Sequence, residues 1–217
     1  MRVVLAALML ACSSRREPAE SSAGHVDAAL LFFGRARAAA ESGIDPWPLS
    51  LRGLSELDKA RILDKSDAQV VEEMARAHVF LADHRLRHGE DPRPDLEQAR
   101  YRLNQEAHMA QTNAAQLALA SLERALEVEW ILSRSSEENP AGPLAQGIDL
   151  ARRALEADPR AADAHVALAR MHLAISRAGR SAAELAAAQH ELDAAADIAP
   201  DLLELSRLRA QVAALAW

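Results

Sequence analysis

Small and branched apolar residues recur along this chain at helical spacing. Leu144, Gly147, Ala151 and Ala154 lead to Pro159, and Leu185, Ala188, Leu192 and Ala195 lead to Pro200. Both runs step by three, four, three and five residues, so the second is the first displaced by forty-one. Each stripe occupies one face of a helix, and its repetition predicts stacked helix pairs. Upstream, Val26, Leu30 and Phe33 mark a first helix over 25–42, and residues 49–65 read as a second of mixed character. Val70, Met74, Ala77 and Leu81 form the stripe of a third, opened by a Ser66/Gln69 capping pattern. Leu96, Ala99 and Leu103 carry a fourth, in which Glu106 and Gln111 stand where the late runs have alanine and proline. The break after it falls at Thr112 and Asn113, and Leu119, Leu122, Leu126 and Trp130 mark a fifth. The sixth holds the first full stripe, and Ala164, Leu168, Met171 and Ile175 belong to the seventh. Ser181/Glu184 and Asp201/Glu204 open the eighth and ninth, and the ninth buries Leu205, Leu208, Val212 and Leu215. Its other face carries Arg207, Arg209 and Gln211, which suits a helix that caps an open stack.

The punctuation between helices repeats as well. Gly43-Ile44-Asp45-Pro46-Trp47-Pro48 and Gly89-Glu90-Asp91-Pro92-Arg93-Pro94 share G-x-D-P-x-P, forty-six residues apart. Glycine ends a helix in the left-handed conformation, and the prolines forbid its continuation. A weaker form appears at Asn139 to Pro143, and a weaker one again at 177–181. About four units of forty-odd residues follow, each a helix, a loop and a second helix. Composition agrees with an all-α fold. Half of the 217 residues are hydrophobic but only 3% are aromatic, so the apolar content is mainly Ala and Leu, which favour helices over strands. A net charge of −7 argues against nucleic acid as a partner. The single cysteine, Cys12, excludes an intrachain disulfide and a cysteine-based metal site.

That cysteine closes the run MRVVLAALMLAC, which is too short to span a bilayer and fits the apolar region of a secretory signal. Met9-Leu10-Ala11-Cys12 resembles the lipobox of bacterial lipoproteins, although the family prefers Leu at Met9 and a small residue at Leu10. The resemblance implies a signal peptide over 1–11, a lipidated Cys12 and a flexible tether over 12–24. Several acyl chains would hold the protein on a membrane where one binds marginally. Ser13 and Ser14, with no Asp beside the cysteine, resemble the pattern sent to the outer membrane, so the folded part would face the periplasm. A conventional cleaved signal, giving a soluble secreted or periplasmic protein, is the competing reading.

Ala154 to Pro159, with Leu168 and Ala169 in the next unit, resembles the tetratricopeptide repeat, where a small residue also falls five before a terminal proline. The likeness is best over 138–200 and fades upstream, and it implies an α-solenoid over 25–217. The forty-one-residue period exceeds the family's thirty-four, which predicts a lengthened loop around 177–181. Members bind partner segments along a groove lined by the first helix of each unit. Residue by residue, that groove receives Asp163, Val166, Arg170 and Leu173 from one unit, and Ala118 and Leu122 from the one before. Within it Arg170 would hold a partner's carboxylate or pair with a nearby acid on the surface. Gly89 to Leu96, followed by Ala99, also resembles the repeat arrays that follow some bacterial serine/threonine kinase domains. No kinase motif accompanies it: His84-Arg85-Leu86 lacks the acid of H-R-D.

Chemistry has few candidates. His84 and His88 lie four apart on one helix without a third metal ligand or an H-E-x-x-H motif. His165 and His172 share a helix face and read as packing residues, and His108 and Met109 lack the C-x-x-C-H that would suggest haem. Glu127 with Glu129 and Glu137 with Glu138 read as solvated faces, and Trp47 between prolines is a candidate anchor. Trp130 and Trp217 are the other large aromatics, and no serine-nucleophile motif occurs. The reading is therefore a non-enzymatic adaptor without cofactors or metal, anchored in the bacterial envelope and binding a protein or peptide. The alternatives are a structural part of an envelope complex, a stand-alone relative of a signalling kinase's repeat region and, least favoured, a metal-dependent enzyme using His84 and His88.

Overall fold

The computed structural model describes residues 21–109, 113–134 and 138–215. Cys12, the signal and most of the tether, residues Gln111 and Thr112, Glu137, Trp217, and the side chains of His108 and Met109 lie outside what it describes. Among the described residues there are nine helices and no strand: α1 (Ser22–Glu41), α2 (Trp47–Leu63), α3 (Ala68–Arg87), α4 (Arg93–Met109), α5 (Ala114–Ser133), α6 (Ala141–Ala157), α7 (Ala162–Gly179), α8 (Ala182–Ile198) and α9 (Leu203–Leu215). α1/α2, α3/α4, α5/α6 and α7/α8 pack as hairpins, the odd-numbered helices touch one another in succession, and α9 lies against α7 and α8. The fold is all-α, with adjacent hairpins stacked in chain order.

Turn chemistry explains the boundaries. Gly43 and Gly89 both adopt φ +72°, and the amide one residue on reaches back five residues: Ile44 N to Ala39 O at 2.8 Å, Glu90 N to Arg85 O at 2.9 Å. The next residue, Asp45 or Asp91, accepts through Oδ1 from the amide two further on, Trp47 at 2.9 Å and Arg93 at 3.0 Å. Asn139 does the same for Ala141 at 2.9 Å, so one polar residue before proline starts α2, α4 and α6 alike. Other boundaries differ from the sequence reading. Asp67, not Ser66, caps α3, accepting from Gln69 and Val70, because Ser66 is held by Asp64. Ser21 caps α1, so Ser22 to Gly24 are helical. The lengthened loop around 177–181 is absent: only Arg180, at φ 50°, and Ser181 separate α7 from α8. Seven extra residues relative to a thirty-four-residue period are about two helical turns, and they are taken up in helices of 18 and 17 residues.

The stripe seen late in the sequence occupies every second helix. Ala188, Leu192 and Ala195 are buried in α8, Gly147, Ala151 and Ala154 in α6, and Leu96 and Ala99 in α4. α2 carries it too, as buried Ser50, Gly53, Leu57 and Ala60, a copy the sequence concealed because Ser50 stands where the late runs have leucine and Lys65 where they have proline. The small residues are contact points. A Cβ on Gly53 would lie 2.4 Å from the ring of Phe33, and one on Gly147 2.8 Å from Met171 Sδ. At that second crossing Ser121 Oγ of α5 donates to the Gly147 carbonyl at 2.8 Å, so close approach also completes a buried hydrogen bond. Two apolar clusters result. One joins α1, α2 and the Val70/Met74/Ala77 face of α3, and the larger runs from the Ala75/Val79/Ala82 face of α3 to α9.

Alanine at either glycine gains about 1 kcal/mol of helix propensity, so the sign of the effect is set by the neighbour. Gly53→Ala, against an aromatic ring that cannot fold away, is expected to lose about 1–2 kcal/mol net. Gly147→Ala meets a thioether that can rotate and, at 3.1 Å, the Cβ of Arg124, which must give only slightly, so its net loss is expected to be about 1 kcal/mol or less. Urea unfolding followed by far-ultraviolet circular dichroism ranks the two, and equal losses would show that the Phe33 contact is not limiting.

Candidate functional site

The odd-numbered helices line the inner side of the stack, and they are joined there by charge. Arg170 of α7 is only 1% exposed, although arginine is seldom fully buried. Its Nη2 donates to Asp83 Oδ1 of α3 at 2.6 Å, its Nε to Glu129 Oε1 of α5 at 2.6 Å, and its Nη1 to Glu204 Oε1 of α9 at 3.2 Å. Asp83 in turn accepts from Arg207 Nη2 at 3.3 Å and lies 2.9 Å from Arg87 Nε. α3 and α7 do not approach each other at backbone level; long side chains bridge them, here and where Arg76 Nη1 meets Asp163 Oδ2 at 3.1 Å. Glu204 sits in the first turn of α9 and Arg87 in the last turn of α3, positions that the helix dipole favours for their signs.

Burial works against every charge in this group. It would lower the Arg170 pKa, yet Glu129, Asp83 and Glu204 together hold it well above the ordinary arginine value. Burial pushes Asp83 up, and Arg170, Arg207 and Arg87 overcome it, so the carboxyl ends below its usual range. Arg207 goes the other way. Its withdrawal from water, with Arg170 beside it, outweighs the attraction of Asp83 and Glu204 and leaves it below its ordinary value.

A cleft of about 390 Å³ opens between the ends of α3, α5 and α7 and the side of α9, and its lining includes Arg87, Glu129, Trp130, Arg134, Arg177 and Arg207. Arg134 lies 4.0 Å over the ring of Trp130. Among the described residues neither Arg134 nor Arg177 is within ion-pair distance of a carboxylate. Arg87, Arg134, Arg170, Arg177 and Arg207 set five positive charges against Asp83, Glu129 and Glu204, in a chain whose net charge is −7. Guanidinium groups in a concave, partly apolar setting suit carboxylates, which they grip in pairs of parallel hydrogen bonds.

Of the residues assigned to a groove from the sequence, Ala118, Leu122, Val166, Arg170 and Leu173 are buried by the chain itself. Asp163 keeps a third of its side chain open and faces Arg76. Arg170 thus meets acids of its own chain in the interior. The acidic pair Glu127/Glu129 is not a solvated face: Glu127 accepts from Arg100 and Arg124, and Glu129 from Arg170. The gathering of the cleft arginines escaped sequence reading: Arg207 marks only the polar face of α9, Arg87, Arg134 and Arg177 are cations near helix ends, and packing alone brings them together. His165 and His172 bridge to Glu191 at 2.7 Å and Glu184 at 2.6 Å across the α7/α8 hairpin. A second cleft, about 530 Å³, holds Trp47, Arg85, His84 and His88. The two imidazoles are 4.2 Å apart, and His88 Nδ1 donates to the His84 carbonyl at 2.8 Å. Burial and then His88 lower the His84 pKa. Among the described residues no three potential ligands cluster as a metal site, and no helix is long and apolar enough to cross a membrane.

Arg170→Ala would strand Asp83, Glu129 and Glu204 together, and about 3–5 kcal/mol of stability should be lost. Arg170→Lys should recover only part, because one ammonium cannot reproduce a three-way fork; unfolding within about 0.5 kcal/mol of the parent for Arg170→Ala would refute the network's role. The lowered Asp83 pKa also sets a pH dependence. Its contribution is complete above the unfolded-state value of about 3.9 and disappears as pH falls through the lower folded-state value. Asp83→Asn should therefore weaken the protein at pH about 7 but flatten its acid limb below pH about 4, as read from urea midpoints against pH.

No protein-family model matches this chain, and no curated protein or solved structure shows significant similarity to it.

Proposed function

We propose that this chain is a non-enzymatic adaptor whose stacked hairpins, of tetratricopeptide-like kind, hold an acidic segment of a partner protein while a lipidated Cys12 ties it to the envelope membrane. The observation that carries the reading is the cleft in which Arg134 and Arg177 stand beside Arg87 and Arg207 with fewer carboxylates than guanidiniums. A surplus of exposed cations gathered in one cleft of a net acidic protein favours a negatively charged peptide. It accounts for partner choice without any reacting group. The lipobox-like Met9 to Cys12 supports the anchor, with outer-membrane sorting as its sequence-based corollary.

A second reading is favoured by the ion pairs of Arg76 and Arg170, which bridge the inner side of the stack. With that side occupied by the chain itself, the hairpins would serve as a rigid structural part of an envelope complex, contacted along their outer surface.

The two readings separate in one experiment. The protein is titrated with a peptide of about ten glutamates, and in parallel captured from membranes as wild type, Cys12→Ser, and Arg134→Glu with Arg177→Glu. The adaptor reading expects peptide binding that weakens as salt rises and falls about tenfold or more in the double variant. It also expects Cys12→Ser to move to the soluble fraction and the double variant to stay on membranes without its partner. Peptide binding and partner capture that ignore the arginine substitutions would leave the structural reading in its place.

A further inference from the structure

The outward face of α1 is unlike the outside of an ordinary surface helix. Val26, Ala29, Phe33 and Ala36 form its buried face. Diametrically opposite stand Gly24, Asp27, Ala28, Leu31, Gly34 and Arg35. All but half-buried Ala28 are exposed, Leu31 at 67%, and a Cβ on Gly34 would meet nothing within 4 Å. A solvated face is normally polar, yet only two of these six positions carry charge. α3 shows what this register does elsewhere in the stack. The loop glycines place Leu31 in the position of Ala77, since 89 − 43 = 46 and 31 + 46 = 77. In α3 the matching face, with Val70, Met74 and Ala77, is buried against the first hairpin. In α1 it is open.

We propose that this face packs against the same face of a second copy of the chain, with the two α1 helices antiparallel about a two-fold axis through Leu31. The charges identify the occupant. Asp27 and Arg35 lie four residues either side of Leu31, because 27 + 35 = 2 × 31, so the axis brings Asp27 of each copy opposite the partner's Arg35. The same sum sets Ala28 against the partner's Gly34, and Gly24 against the partner's Ala38, so small residues meet small residues and backbones can close. Neither Asp27 nor Arg35 has an ion-pair partner within its own chain among the described residues. One self-complementary patch of this kind makes a closed dimer rather than an open chain. The other exposed apolar pair, Ile62 and Leu63, is flanked by Arg61, Asp64 and Lys65 without such symmetry.

The test is sedimentation velocity over a concentration series reaching about 100 μM, on the full chain carrying Cys12→Ser so that acylation does not cause association. Asp27→Arg makes both charged positions basic and Arg35→Asp makes both acidic. Each alone should weaken the dimer about tenfold or more, while an equimolar mixture of the two should form a heterodimer as tight as the parent. Should circular dichroism show that either variant loses helix, Leu31→Gln reads the same face and should weaken association alike. A parent that stays monomeric overturns the proposal, as does a dimer indifferent to these substitutions. Association with phosphatidylglycerol vesicles that replaces dimerisation would assign the face to a lipid surface, and protection of a monomer's α1 by residues before Ser21 would assign it to the chain's own N-terminal segment. Either result overturns it too.

Discussion

A fully buried guanidinium cannot be left without partners, and the inner side of this stack is arranged around that requirement. Arg170 finds its acids on three other helices, Asp83 on α3, Glu129 on α5 and Glu204 on α9. The Asp83 pair fixes a distance between hairpins that are not neighbours in sequence, and the other two tie α7 to the odd-numbered helix on either side of it. Hydrophobic contact alone would not do so, because it is nondirectional and tolerates sliding of one alanine-rich surface over another. Buried ion pairs contribute little net stability once desolvation is counted, and breaking one is costly. The network's effect is thus felt less in how firmly the chain folds than in how its odd-numbered helices are spaced. α3 and α7 are spanned by side chains without touching, so the separation of the two helices is set by the length of an arginine.

The hairpins themselves obey a simpler constraint. A helix can approach its partner closely only where one of them offers a small side chain, and that is what the three-four-three stripe supplies in α2, α4, α6 and α8. Because hairpin formation is local and the network is long-range, the two operate on different scales. The first decides that pairs of helices form, and the second decides how the pairs are arranged. Histidine–carboxylate hydrogen bonds also tie hairpins internally: His25 to Glu56, His78 to Asp95, and His165 and His172 to Glu191 and Glu184 each join an odd helix to the even one that follows.

This division explains what could be read from the residues in order. Helices, glycine stops and proline starts are local, and the stripe in α6 and α8 stood out because alanine and leucine repeat there with a proline after them. The copy in α2 is hidden by Ser50 in the place of leucine and Lys65 in the place of proline, although Gly53 and Ala60 keep the small side chains that the crossing needs. Capping was partly misplaced for a similar reason: Asp67 and Ser66 are both competent, and only the hydrogen bond from Ser66 to Asp64 decides between them. The inner network was illegible. Arg170 is 87 residues from Asp83, 41 from Glu129 and 34 from Glu204, and nothing in those separations distinguishes them from surface charges. Arg170 was singled out as a residue able to grip a carboxylate, and that chemistry holds, with acids of the same chain as its partners.

The cationic cleft must be weighed against the helix ends that form it. Arg87 and Arg177 lie in the last turns of α3 and α7, and Arg134 caps α5, where carbonyl groups already attract positive charge. Arg87 and Arg207 are further committed to Asp83. What remains for a ligand is chiefly Arg177 and the Arg134 held over Trp130, together with the field of the others. Two available guanidiniums, partly offset by helix dipoles and open to salt, give attraction suited to fast, reversible engagement rather than to a tight complex. A scaffold with such a site gains firm attachment only by confinement, either at a membrane surface or in a pair that presents two clefts at once, where effective concentration multiplies a weak contact. The outer face of α1, proposed above as a dimer contact, and the lipobox-like cysteine, proposed above as an anchor, would each provide a route to that confinement.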